Sequence, residues 1–341
     1  MRFQFIIIAI IALFTISFRG FQEIKLKIPE GWPAPQEIYR KEILSTQKIH
    51  LGRVLFYDPI LSLDSTISCA SCHSPYTAFT HVDHALSHGI QDKIGTRNAP
   101  ALQNLAWQPA FMWDGVIPHL DMQSIFPITH PDEMGETLEG VMKKLNRSPR
   151  YKRLFYAAYQ DSIPTGARML KSLSQFMLTL ISANAKYDKF MRKEIEFTEQ
   201  ENRGYLLYKQ NCSSCHTEPL FSNYAYENNG LTIDTLLNEK GRFKVTQNPL
   251  DAYKFKVPSL RNIEFSYPYM HDGRFKTIPQ VLIHYTTGIQ ESPTLSNKLN
   301  KVIVLSSNDK VDLTAFLLTL TDRNFFFDTL HTFPKEILQP F

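Results

Sequence analysis

Cys69-Ala70-Ser71-Cys72-His73 and Cys212-Ser213-Ser214-Cys215-His216 are two copies of one five-residue pattern, and together they hold every cysteine of the 341-residue chain. With 4 cysteines and 11 histidines present, a chance Cys-x-x-Cys-His is expected on the order of 10⁻³ times, so two copies are a built feature. The spacing has a chemical reason. On a helical turn residues i and i+3 share a face, so both sulfurs can reach the two vinyl groups of one haem. The adjacent histidine then turns its ring onto the iron. Disulfide pairs would not each need a following histidine. The pairs stand about 140 residues apart, beyond zinc-ribbon spacing, and a redox Cys-x-x-Cys normally occurs once, in a βαβ context. The motifs predict two covalently bound haems c, one on Cys69, Cys72 and His73, the other on Cys212, Cys215 and His216.

Similar text precedes each motif: Gly52, Leu55 and Phe56 before the first, Gly204, Leu207 and Tyr208 before the second. This suggests two related modules, each packing a helix beside its haem. Thr198-Glu199-Gln200-Glu201 reads as a capping box opening the helix before the second motif. The boundary is therefore placed near residue 196, dividing the chain into domains 21–195 and 196–341. Met169, Leu173, Phe176, Met177 and Leu180 form a stripe of period near 3.6 after a start at Pro164-Thr165. Val311, Leu313, Phe316, Leu317 and Leu320 form a second. Long alternating strand patterns are absent. Stretches 74–135 and 217–280 are rich in Pro, Gly and Asn and read as ordered loops that wrap the haems and exclude water. The expected fold is mainly α, as two cytochrome c-like domains.

Composition agrees: 43% hydrophobic and 12% aromatic residues suffice for two cores. A formal net charge of +4, part of it from Arg2 and Arg19, argues against a nucleic-acid partner, which needs a concentrated basic face. Residues 5–18 run almost without polarity. At about 1.5 Å per residue they span roughly 21 Å, short of a bilayer core of about 30 Å. Residues 1–20 therefore read as a secretory signal, or as a membrane anchor if they stay attached, and the protein as exported to the periplasm. No cysteine stands near position 20, which excludes a lipoprotein anchor.

From about residue 45 to 325 the chain resembles the bacterial di-haem cytochrome c peroxidase family, which includes MauG. The stretches that carry the resemblance are Leu51-Gly52-Arg53-Val54-Leu55-Phe56-Tyr57-Asp58, Arg97-Asn98-Ala99-Pro100, Trp113-Asp114-Gly115, Pro131-Asp132-Glu133-Met134 and Val257-Pro258-Ser259-Leu260-Arg261-Asn262. The resemblance implies that the N-terminal haem is the peroxide site and the C-terminal haem the electron-transfer site. It places Gln123 and Glu133 on the distal side of the first, ten and twenty residues after an inter-haem Trp113. A carboxylate there can take a proton from one oxygen of peroxide and return it to the other. The resemblance also implies a calcium ion between the domains, on the Asn98 side chain and the Ser266 and Pro268 carbonyls, an oxygen-only set.

Two departures stand out. Family members often carry a loop histidine that caps the peroxidatic iron. Here Ser87-His88-Gly89 puts Ile90 at that position, with His81, His84 and His88 nearby, so the site is expected to rest open unless His88 acts as a shifted ligand. The C-terminal haem of ordinary peroxidases is capped by a Met fourteen residues after the His of a Pro-Tyr-aromatic-His motif. Here Pro268-Tyr269-Met270-His271 leads to Tyr285 at that spacing, as in MauG, while Met270 is the alternative ligand. A phenol oxygen lowers the iron potential that a thioether raises. The implied activity is reduction of hydrogen peroxide with electrons from a small periplasmic cytochrome c or cupredoxin. MauG-like oxidation of a protein or small molecule is the second reading, and a non-catalytic di-haem carrier the third. Relatives are often homodimers.

Overall fold

A computed structural model describes residues 23–339. The leader expected at residues 1–20 lies outside them. Among the described residues no helix is long and apolar enough to cross a membrane. The chain is mainly helical. Its named strands make two antiparallel ribbons, β1 (Glu23–Lys25) with β2 (Ile43–Ser45) and β3 (Tyr226–Glu227) with β4 (Phe255–Lys256).

Each Cys-x-x-Cys-His motif sits beside a crossed helix pair. In the first, α1 (Thr46–Tyr57) leads to the single turn α2 (Cys69–Cys72) and packs against α3 (Gly166–Leu178). A Cβ on Gly52 would stand 1.9 Å from the Ser172 carbonyl oxygen and 2.9 Å from Phe176 Cβ, so only glycine lets these backbones touch. In the second, α4 (Glu199–Asn211) packs against a later helix, Ser307–Leu318. A Cβ on Gly204 would stand 2.0 Å from the Asp312 carbonyl oxygen and 2.8 Å from Phe316 Cβ. The following aromatics complete the match: Phe56 lies 5.2 Å from Phe176, and Tyr208 lies 5.0 Å from Phe316, centroid to centroid.

The capping signals are where the sequence puts them. Thr198 accepts from the Glu201 amide at 3.2 Å while Glu201 accepts from the Thr198 amide at 2.7 Å. Thr165 caps α3, whose stripe Met169, Leu173, Phe176, Met177 and Leu180 is wholly buried. The second stripe needs one correction. Leu313, Phe316, Leu317 and Leu320 are buried, but Val311 is 58% exposed. Two residues on a helix are about 200° apart, so Val311 and Leu313 face opposite ways.

The apolar core divides into two clusters, one built mainly from residues 26–180 and one from 187–320. The C-terminal segment returns to the first: Phe325 and Phe326 join its core, and Arg53 donates to the Thr332 carbonyl at 2.7 Å. The two loop stretches carry short helical turns, such as Leu120–Gln123 and Ile125–Thr129, and, in the second, the two-residue strands β3 and β4. They meet along a polar seam. Arg97 pairs with Asp114 at 2.8 Å and Glu239 at 2.6 Å, and the Asn98 amide donates to the His271 carbonyl at 2.7 Å. Arg261 is fully buried, ion-paired to Asp188 at 2.7 Å and set 4.5 Å over the Trp32 ring. Asn262 accepts from the Asp322 amide and donates to Ser182. Residues 261 and 262 thus clamp the fold rather than line the site's reactive end.

Candidate active site

The Ser68 amide donates to Ser71 Oγ at 3.1 Å, and the His73 amide closes the turn on the Cys69 carbonyl at 2.9 Å. His73 Nδ1 stands 2.7 Å from the Phe79 carbonyl oxygen. A carbonyl only accepts, so Nδ1 carries the hydrogen and the Nε2 lone pair is left for a metal. His216 repeats the arrangement, with Nδ1 3.1 Å from the Pro258 carbonyl and 3.2 Å from that of Phe221. Burial pushes the pKa of each down to about 4 against the pull of these hydrogen bonds, which keeps both rings in the neutral, ligating form. All four cysteines are unbridged, as attachment to another group requires.

One cavity of about 750 Å³ joins the motifs, lined by Cys72, His73, Cys212, Cys215 and His216. That lies in the upper part of the usual range for ligand sites, about 300–1,000 Å³. Cys72 at one end and the Cys212–Cys215 pair at the other, each with an oriented neutral imidazole, fit a haem c at each motif, with Cys69 packed just behind the wall against the core.

Trp113, Gln123 and Glu133 all line this cavity. Trp113 is held from both sides of the seam: its indole N–H donates to the Asn98 carbonyl at 2.8 Å, and its own carbonyl accepts from the Lys256 amide at 2.7 Å. Gln123 closes the turn Leu120–Gln123, its amide nitrogen 3.7 Å from Met112 Sδ. Burial raises the Glu133 carboxyl above its ordinary pKa, opposed by His130 and reinforced by Asp132. The loop that precedes it is tied to its backbone, the Ile90 amide donating to the Glu133 carbonyl at 2.7 Å.

His81, His84 and His88 do not line the cavity, although Ser87 does and the His88 carbonyl stands 3.6 Å from Cys72 Sγ. His81 Nε2 lies 3.1 Å from His84 Nδ1, and the His84 and His88 rings stack at 4.1 Å. Ile90 is buried and packs toward Gly135.

At the other end, Tyr285 and Met270 both line the cavity. Tyr285 lies in a π-type turn, His284–Gly288, that follows α5 (Ile278–Ile283). Burial pushes its phenol up to about 12. Asn98, Ser266 and Pro268 also line the cavity. Asn98 Nδ2 donates to the Ala85 carbonyl at 3.0 Å, which leaves Oδ1 as its accepting atom.

Residues 46–196 match the family described as di-haem cytochrome c peroxidase. The methylamine utilization protein MauG of Methylorubrum extorquens is 35% identical over 308 residues, covering 87% of this chain and 83% of that one. The chain belongs to the di-haem cytochrome c peroxidase and MauG family. Cytochrome c551 peroxidase of Nitrosomonas europaea is likewise 35% identical, over 277 residues covering 80% of this chain and 79% of that one. Among solved structures, a MauG-like protein associated with microbial copper homeostasis superposes with a TM-score of 0.79 at 29% identity, covering 91% of this chain and 99% of that one.

Membership of the di-haem peroxidase family implies haem c as the cofactor, but a relative named MauG and a relative named peroxidase share the same 35% identity with this chain. The distinction between them therefore rests on local features of this member. One such feature escaped the sequence reading. Asn229 lines the cavity beside both Tyr285 and Met270, and its Nδ2 stands 3.3 Å from Met270 Sδ. Nothing in Asn228-Asn229-Gly230 beyond an ordinary turn composition marks it.

Proposed function

We propose that this chain is a periplasmic di-haem c-type peroxidase, reducing hydrogen peroxide to water with electrons from a small cytochrome c or cupredoxin. The reading rests on one observation: Gln123 and Glu133 face the same cavity as His73, and burial raises the proton affinity of Glu133. Cys69, Cys72 and His73 hold the peroxidatic haem in domain 21–195; Cys212, Cys215 and His216 hold the electron-transfer haem in domain 196–341. The haems supply one-electron iron chemistry. The chain supplies the rest. Gln123 orients peroxide through its amide. Glu133 takes a proton from one peroxide oxygen and delivers it to the leaving oxygen, a double task that favours a carboxyl with a raised pKa. Trp113, clamped from both modules, carries electrons across the seam. Two electrons and two protons turn one peroxide into two waters. A calcium ion on Asn98, Ser266 and Pro268, export through residues 1–20 with membrane attachment only if they are retained, and a homodimer complete the proposal.

Tyr285 favours a second reading, MauG-like oxidation of a protein or small-molecule substrate, because a phenol oxygen suits oxidised iron better than a thioether does. Steady-state turnover with a reduced small cytochrome c separates the readings. The peroxidase consumes two reduced donors per peroxide. Fast reaction with peroxide but slow donor turnover supports the second reading. A Soret band that does not respond to peroxide overturns both and leaves a non-catalytic electron carrier.

A further inference from the structure

The segment carrying Asn229 is fixed on both sides. The Ser296 amide donates to the Asn228 carbonyl at 2.9 Å, and the Gln290 amide to the Gly230 carbonyl at 2.8 Å. Asn228 Nδ2 donates to Ser292 Oγ at 3.0 Å and Thr294 Oγ1 at 2.9 Å. The Asn229 carbonyl accepts from His284 Nε2 at 3.0 Å, which ties it to the residue beside Tyr285. With its backbone held this way, Asn229 presents its carboxamide to the cavity.

The amide touches one candidate ligand there and shares the cavity wall with the other. Nδ2 stands 3.3 Å from Met270 Sδ. Tyr285 lines the same cavity as this carboxamide. Met270 is held in a left-handed conformation, φ 76°, uncommon for a residue with a side chain. An amide nitrogen has two hydrogens to give. A thioether that receives one has a lone pair engaged away from iron, whereas a phenol oxygen that receives one gains a stabilised negative charge.

We propose that Asn229 is a positioning residue that selects the distal ligand of the C-terminal haem, withholding the Met270 thioether and presenting the Tyr285 oxygen. The proposal rests on Tyr285 being that ligand. It goes beyond the two-candidate choice visible in the sequence by naming what makes the choice.

The test uses full-length protein with both haems attached, and reads the ferric spectrum and the reduction potential of the C-terminal haem. In Asn229→Ala the ratio of thioether to phenol ligation should rise roughly tenfold, the effect of losing hydrogen bonds of ordinary net strength. It should appear as the long-wavelength sulfur-to-iron band with a more positive potential, and the band should vanish in Asn229→Ala/Met270→Leu. Asn229→Asp keeps the side-chain shape without the N–H donors. It should shift ligation the same way, and it decides the matter if the alanine variant folds poorly. Wild-type spectra and potentials in the Asn229 variants, with both altered in Tyr285→Phe, overturn the proposal alone. A Tyr285→Phe protein that also matches wild type overturns the ligand assignment, and the proposal with it.

Discussion

The proximal sides of the two modules are near copies. Gly52 against Ser172 and Gly204 against Asp312 set the same helix crossing, Phe56 and Tyr208 pack the same aromatic contact, and both motif histidines give Nδ1 to a backbone carbonyl. The distal sides differ. In the first module Gln123 and Glu133 reach the cavity, and the loop of His81, His84 and His88 contributes Ser87 to its wall but none of the three histidines. In the second, Tyr285, Met270 and Asn229 gather at the cavity. On the proposed function, holding an iron and using it fall to different parts of each module. The crossing and the motif do the first, and the long loops do the second.

The severest way to break the comparison is to remove the attachment. Cys→Ala at Cys69 or Cys72 should weaken or abolish covalent haem at the first motif alone, and at Cys212 or Cys215 at the second alone. Haem staining after denaturing electrophoresis, with intact mass, reads this directly. Loss of both haems from one substitution means the modules do not mature independently.

Next in size is the distal carboxyl. Glu133→Gln should bind peroxide yet turn it over about 10²–10⁴-fold more slowly. The pH profile sharpens the point. Burial raises the Glu133 pKa, so the carboxylate base is present above that raised value and is lost as pH falls through it. The acid limb of wild-type turnover should therefore lie above the ordinary glutamate value of about 4.3 and be missing in Glu133→Gln. A limb retained in the variant assigns it to another group.

Gly52→Ala and Gly204→Ala test the shared scaffold. A methyl group has no room at either crossing, and overpacking of this kind costs about 1–3 kcal/mol. Similar losses in thermal unfolding are expected for the pair. A large loss at one and none at the other would show that the two crossings do not bear equal load.

The smallest effect is reserved for His88→Ala. Because His88 lines no part of the cavity, the change should cost less than about 0.5 kcal/mol of stability and leave peroxide turnover and the resting spectrum intact. A changed spin state at the N-terminal haem would instead make His88 a shifted iron ligand.

Sequence alone was enough wherever the chemistry depends on neighbours along the chain. Two sulfurs a helical turn apart with an imidazole next to them need no tertiary contact to be recognised, and neither does the Thr198 cap, whose partner is three residues on. The glycine-and-aromatic spacing showed the repeated module for the same reason, although not which helix each glycine meets. Val311 was misplaced because a stripe drawn by hydrophobicity ignored the angle between residues 311 and 313. Only the tertiary structure put Trp113 between Asn98 and Lys256, or the Asn229 amide against Met270 Sδ, 41 residues away along the chain. Those relations are made where loops from separate parts of the chain close over one cavity. A hydrogen bond across such a gap has no period or spacing to leave in the sequence, because its geometry is set by how the loops are held rather than by how many residues separate its ends.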